Sequence, residues 1–156
     1  MGIKADIDIK AIKEQMYREV QKNIHRVIVS LQMVGEQVVN EIRTSHISDW
    51  TDRTGNLRSS VGYIVALDGQ PINMSGFQRV DGPDRDKTSE DGSEKGRQYA
   101  QSLVEQFPKG IALIVVAGME YASYVEAMEN KTVLAQGELV AKQLVATMIQ
   151  QLSNLK

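Results

Sequence analysis

The sequence predicts an α+β domain in which a long N-terminal helix and a C-terminal helix pack on a small, mostly antiparallel sheet. Three observations predict it. Between Asp8 and Arg43, apolar residues recur every three or four positions, the spacing of one face of a helix. Between Val61 and Leu67 they alternate, and between Ile111 and Ala117 they run unbroken, as strands do. Between Thr132 and Asn154 a second helical stripe appears.

The stripe of the first helix is Ile9, Ile12, Met16, Val20, Ile24, Val27/Ile28, Leu31, Val34, Val38 and Ile42. Asp6 or Asp8 can cap its start. Lys10/Glu14 and Glu14/Arg18 stand four apart on the outer face. Such a helix is about 50 Å long, more than a small domain needs to cover its own core. Either it breaks or something outside the domain covers part of its stripe. Gly35 is its weakest point, and close packing against another helix explains that glycine better than a hinge.

Thr44 to Asp52 is polar and ends the period. It contains the only tryptophan, Trp50, either a plug over the end of the core or an anchor in a protein contact. Thr54-Gly55 opens a turn with Thr54 as N-cap, and Asn56 to Ser60 makes one or two helical turns. From Val61, Val61/Tyr63/Val65/Leu67 share one face of a strand and Gly62/Ile64/Ala66 the other. Trp50 to Leu67 therefore joins the long helix to the sheet by one rigid bend. Asp68-Gly69 between apolar runs signals a hairpin, with Pro71 demoting the second strand to an edge.

Residues 79–96 hold ten charged side chains, three glycines and one proline. They are expected to form a long mobile loop or an arm that orders on a neighbouring subunit. Glu94 to Phe107 reads as a helix stopped by Pro108. Ile111 to Ala117 reads as a central strand covered on both faces, ended by Gly118. Tyr121 to Met128 reads as two helical turns, with Tyr121 and Tyr124 on one face. Val133, Gly137, Val140/Ala141, Leu144, Met148, Leu152 and Leu155 stripe the last helix. No repeat and no second domain interrupts residues 1–156.

The totals narrow the function. A chain of 156 residues fits one domain,. Eighteen basic against twenty acidic residues give a net charge of −2, which argues against a protein that lives by gripping phosphates. There is no cysteine, so disulfides, thiolate chemistry and Cys-based zinc sites are excluded. No apolar window reaches signal-peptide or membrane-spanning length, and a cytosolic product is expected.

Chemistry is sparse. His25 and His46 stand 21 apart, in no zinc-binding spacing. Ser59-Ser60 has no nucleophile motif around it, and the glycines form no phosphate loop. Asp49, Asp52, Glu120 and Glu126 can meet only through the fold. Neither a catalytic residue nor a cofactor or metal site is assigned, and the protein is read as no enzyme. The better candidates concern contacts. Arg53 and Arg58 flank the Thr54-Gly55 turn and are placed to meet Glu126 or Glu120 in a fork that braces two joints.

Two short pieces then carry a resemblance. Thr54-Gly55-Asn56-Leu57-Arg58-Ser59-Ser60-Val61 follows the long helix. Tyr121-Ala122-Ser123-Tyr124-Val125-Glu126 follows a strand ending in Val116-Ala117-Gly118. In this order, with a hairpin between and a terminal helix after, the chain resembles the tail-completion (neck, head–tail joining) proteins of long-tailed double-stranded-DNA bacteriophages and prophages. The second motif departs from that family after Glu126, where Ala127-Met128-Glu129-Asn130 replaces the usual Gly-Thr continuation.

The resemblance implies a structural subunit without a catalytic centre. It implies a ring, expected to be a hexamer of itself, at the head-proximal end of the tail. The ring's partners would be the tail-tube or tail-terminator protein and the head connector, with genomic DNA passing non-specifically and no membrane involved. The subunit would reside in the host cytoplasm before assembly and in the virion neck after it. Trp50, Arg53, Thr54, Gly55, Leu57, Arg58, Gly118, Tyr121, Tyr124 and Glu126 are the interface and bracing candidates. The other readings are a different tail or head-closure component, a non-viral interaction or DNA-binding module, and a metal-dependent hydrolase built on Asp49, Asp52 and a histidine.

Overall fold

The computed structural model of the chain describes residues 8–45, 52–84, 91–118 and 134–154. Among them the elements run α1 (Ile9–Ser45), α2 (Asn56–Ser59), β1 (Val61–Leu67), β2 (Gln70–Gly76), α3 (Gly92–Val104), β3 (Ile111–Ala117) and α4 (Ala135–Ser153). The class is α+β, as the sequence predicts.

The sheet is antiparallel throughout, in the order β2-β1-β3. β1 is therefore the central strand, and β3 has a strand on one side only among the described residues. The unbroken apolar run of β3 was expected to mark the centre of the sheet. It reports cover on both faces, which an edge strand sandwiched between helices also has. Leu113 and Val115 face α1 and α4, while Ile114 and Val116 face α3.

β1 divides its side chains as its alternation requires. Val61, Tyr63 and Val65 enter the cluster formed with α1, and Ile64 and Ala66 enter the cluster formed with Ala100 and Val104 of α3. Its first six residues are buried. The hairpin turn is Asp68-Gly69, both with positive φ (49° and 75°), the signature of the tight turn that matches strand twist. Asp68 also grips the entry to β3: its amide donates to Gly110 O, and its Oδ1 accepts from Gly110 N, both at 2.8 Å. Pro71 lies in the edge strand β2, next to a bulge between Val65 and Ala66, where a missing donor is tolerated.

α1 runs unbroken, capped by Asp8, whose Oδ1 accepts from the amides of Lys10 (2.9 Å) and Ala11 (3.1 Å). It packs from Ile24 onward. Leu31, Val34, Val38, Val39 and Ile42 are buried, whereas Ile9, Ile12, Met16 and Val20 stand 63%, 46%, 64% and 52% exposed. Of the two outcomes open to an overlong helix, the unbroken one holds, and the apolar row of its first half lies bare.

Gly35 packs closely, but against the sheet and not against a helix as expected. A Cβ there would fall 2.6 Å from the Tyr63 ring. Tyr63 itself donates from its hydroxyl to Glu36 Oε1 at 3.1 Å. Burial first, and then the Glu36 carboxylate, pushes the tyrosine pKa up to about 12.

Of residues 79–96, the structure describes 79–84 and 91–96, and both pieces are tied to the joint or to a helix. The amides of Val80, Gly82 and Asp84 are hydrogen-bonded to Ser59 Oγ, Thr54 O and Arg53 O. The last five residues, Gly92 to Gly96, form the first turn of α3, which begins two residues before the expected Glu94. Asp91 caps this helix by accepting from Ser93 N. The glycines that read as loop formers are packing residues: Cβ atoms on Gly92 and Gly96 would strike the backbones of Asn56 and Ser60.

Two outcomes test this packing. Gly35→Ala gains helix propensity of up to about 1 kcal/mol, yet the clash with Tyr63 makes it destabilising by about 1–3 kcal/mol in urea unfolding. The raised Tyr63 pKa makes its contribution complete below the unfolded tyrosine pKa of about 10 and lost as pH rises through about 12,. Tyr63→Phe should flatten the loss of stability across that alkaline window while costing about 1.5 kcal/mol at pH 7.

Candidate interaction site

The turn between α1 and β1 is held by one buried carboxylate. Asp52 is 6% exposed. Its Oδ1 accepts from Gly55 N at 3.0 Å, and its Oδ2 accepts from Arg58 N at 2.9 Å and from Arg58 Nε at 3.4 Å. Asp52 thus serves the free amides at the start of α2. Thr54, the expected N-cap, offers Oγ1 to Asn56 N at only 3.4 Å. The N-cap position belongs to Gly55, with φ 79°, a conformation that glycine adopts without cost.

Around this turn four segments converge. Leu57 is fully buried in the cluster beneath α1. Ser59 Oγ donates to Gly55 O at 2.6 Å and accepts from Val80 N at 2.8 Å. Ser60 Oγ donates to Leu57 O at 2.8 Å, and Ser60 O accepts from Gly118 N at 3.3 Å. Both serines are completely buried, so they fasten backbone and present no nucleophile to solvent. Gly118 lies against Gly96 with no room for a side chain. From α1, Arg43 Nη2 donates to Val61 O at 2.9 Å, and burial lowers the pKa of its guanidinium.

The two flanking arginines find nearby partners. Arg58 bonds Asp52, and Arg53 Nε meets Asp84 Oδ2 at 2.6 Å. The Arg53 pair is mostly exposed and contributes little. The expected carboxylates Glu120 and Glu126 lie outside the described residues, as do Trp50, Tyr121, Tyr124, the helical turns 121–128, Asp49 and His46. Of the candidates, the structure brings together Arg53, Thr54, Gly55, Leu57, Arg58 and Gly118. Sequence reasoning missed Asp52 as the cap, Arg43 and Asp84. A signal for the first was present: Asp three residues before a glycine at a turn bonds local backbone.

Among the described residues, no group of three or more His, Cys, Asp or Glu side chains could hold a metal ion. No helix among them is long and apolar enough to cross a membrane. Asp52, the described acid of the hydrolase reading, has both oxygens engaged by backbone.

Two further surfaces are apolar, the first at the end of α1 remote from the joint. One is the bare apolar row of α1. The other is a groove of about 580 Å³ between α1, β3 and α4, walled by Val38, Ile42, Leu113, Val115, Val145 and Ile149. At its rim Lys142 Nζ meets Glu138 Oε1 at 2.7 Å, and that bond lowers the Glu138 pKa. In comparisons with protein-family models, curated proteins and solved structures, the chain has no match.

Asp52→Ala should destabilise by about 2 kcal/mol, because it strands the Arg58 amide and leaves Gly55 N only its 3.3 Å bond to the main-chain carbonyl of residue 52,. Asp52→Asn, which keeps one acceptor, should recover part of that. Arg58→Ala should cost less than about 1 kcal/mol, its main-chain donor being unaffected. Equal losses for Asp52→Ala and Arg58→Ala in thermal unfolding would show that the ion pair and not the cap governs the turn.

Proposed function

We propose that the protein is a tail-completion subunit of a long-tailed phage or prophage, assembling as a ring at the head-proximal end of the tail. One observation carries the reading: the first part of an unbroken helix carries an apolar row, Ile9, Ile12, Met16 and Val20, that stands 46–64% exposed. A row of that kind requires a neighbour, since leaving such side chains in water forgoes about 1.5–3 kcal/mol for each one that could be fully buried. A subunit whose partner is another copy meets that requirement by assembling. The element order and the two motif pieces supply the class of assembly, and a mildly acidic chain suits a channel that DNA must traverse without sticking. The joint at Asp52 then acts as a brace, fixing the angle between the projecting rod and the sheet. Its buried serines and backbone-bound carboxylate suit a bracing role.

Deleting the gene from its phage or prophage should leave filled heads and complete tails that fail to join, counted by electron microscopy. Normal yields of joined particles without it would overturn the role.

A further inference from the structure

We infer that residues 3–7 of one copy add as a fourth strand to the open edge of β3 in the next. The inference names a contact for the ring reading and rests on that reading for closure, while the contact itself rests on the geometry of the sheet.

The backbone of β3 sets the kind of occupant. Gly110 bonds Asp68, and Gly118 bonds Ser60, at the two ends of the β1–β3 ladder. The even-numbered residues between them therefore turn their amides and carbonyls to β1, and the odd-numbered ones turn theirs away. Ile111, Leu113, Val115 and Ala117 thus present a row of donors and acceptors that no strand pairs among the described residues. An extended backbone is what matches such a row. The other edge, β2, is blunted by Pro71 and a bulge. β3 holds no proline, no charge and no break in register,.

The helix layer sets where the side chains of an added strand go. α1 and α4 lie side by side on one face, about 20 Å wide together, over three strands that span about 14 Å. The overhang falls on the side of α4, and the groove between α1, β3 and α4 is the space beneath it. A lone strand enters that space. The β3 of a second copy does not, because it brings its own α1 and α4 over the same face. On the other face the single helix α3 covers β1 and its neighbours, which leaves a fourth strand in water. The occupant is therefore apolar on one face and polar on the other.

The sequence holds one such run. Ile3, Ala5, Ile7 and Ile9 alternate with Lys4, Asp6, Asp8 and Lys10, strictly over eight positions, as no other stretch of the chain does,. α1 takes over at Ile9, and the five residues before Asp8 are of ordinary strand length. They cannot reach β3 of their own chain. α1 first meets the core at Ile24, about 24 Å along the helix from Asp8. Ile3 lies at most about 17 Å from Asp8. The strand therefore crosses to a neighbour. Two different patches then meet, a contact that repeats from copy to copy and closes when the rotation permits.

Amide hydrogen exchange on the full chain, read by NMR at single amides, tests this. At about 1 mM, where even weak association is populated, the amides of Ile111, Leu113, Val115 and Ala117 should exchange roughly tenfold more slowly than at about 10 μM. Ala112, Ile114 and Val116, paired with β1 in either state, are the internal control. A chain lacking residues 1–7, shown folded by circular dichroism, should lose the slowing. Ile7→Asp, which puts a charge beneath α4, should weaken self-association in sedimentation roughly tenfold, equivalent to about 1.4 kcal/mol. Asp6→Ser, on the wet face, should leave it unchanged.

Protection of the four odd-numbered amides that does not vary with concentration would assign the edge to the chain's own residues 119–133. Protection that rises with concentration but persists without residues 1–7 would assign it to a different strand of the second copy. Fast exchange at every concentration would remove the contact. Each of these results overturns the inference. Slowing that depends on residues 1–7 while particles join without the protein would sink the neck role alone. Heads and tails that need the protein although the four amides stay fast would sink the contact alone.

Discussion

Everything in the architecture depends on the buried carboxylate of Asp52. It removes two amide donors from solvent and supplies both with an acceptor. Without it the first turn after the long helix would carry unsatisfied backbone in a buried place, which is costly. With it, the chain enters β1 in one orientation, Leu57 drops into the core beneath α1, and Ser60 is placed to receive Gly118. The Arg43 bond to Val61 O fixes the other side of the same corner. A carboxylate that bonds backbone is a stronger constraint than a surface ion pair, because neither partner is free to swing away.

Much of this was legible in the residues. The three-and-four period placed α1, the alternation of Val61 to Leu67 placed both faces of β1, and Asp68-Gly69 placed the hairpin. These are signals that a single element generates by itself. What the sequence hid depended on distant neighbours. The apolar run of β3 encodes cover above and below but not the number of strands beside it. The glycines at 92 and 96 look like loop formers until Asn56 and Ser60 are laid against them. Gly35 signals close approach without saying that the partner is a tyrosine ring on a strand. At the joint, Thr54 and Asp52 are both good caps by type, and only the path of the backbone selects the aspartate.

The distribution of burial along α1 separates two tasks within one element. From Ile28 onward its apolar side belongs to the core, so that half fixes the fold. Ile24 and Val27 pack partly against that core, and before them, from Ile9 to Val20, the same periodicity continues into water. A sequence that holds an apolar period beyond the reach of its own core encodes a surface for something else.

Because α1 passes from core to projecting tip without a break, the direction of the tip is set by the sheet, with the Tyr63 ring wedged at Gly35 as its bearing. In a closed assembly built through such a tip, the turn from one copy to the next is about 60° for six members and about 51° for seven. A difference that small survives only if the strut does not flex. Stiffness in this helix is therefore what would count the members of the circle.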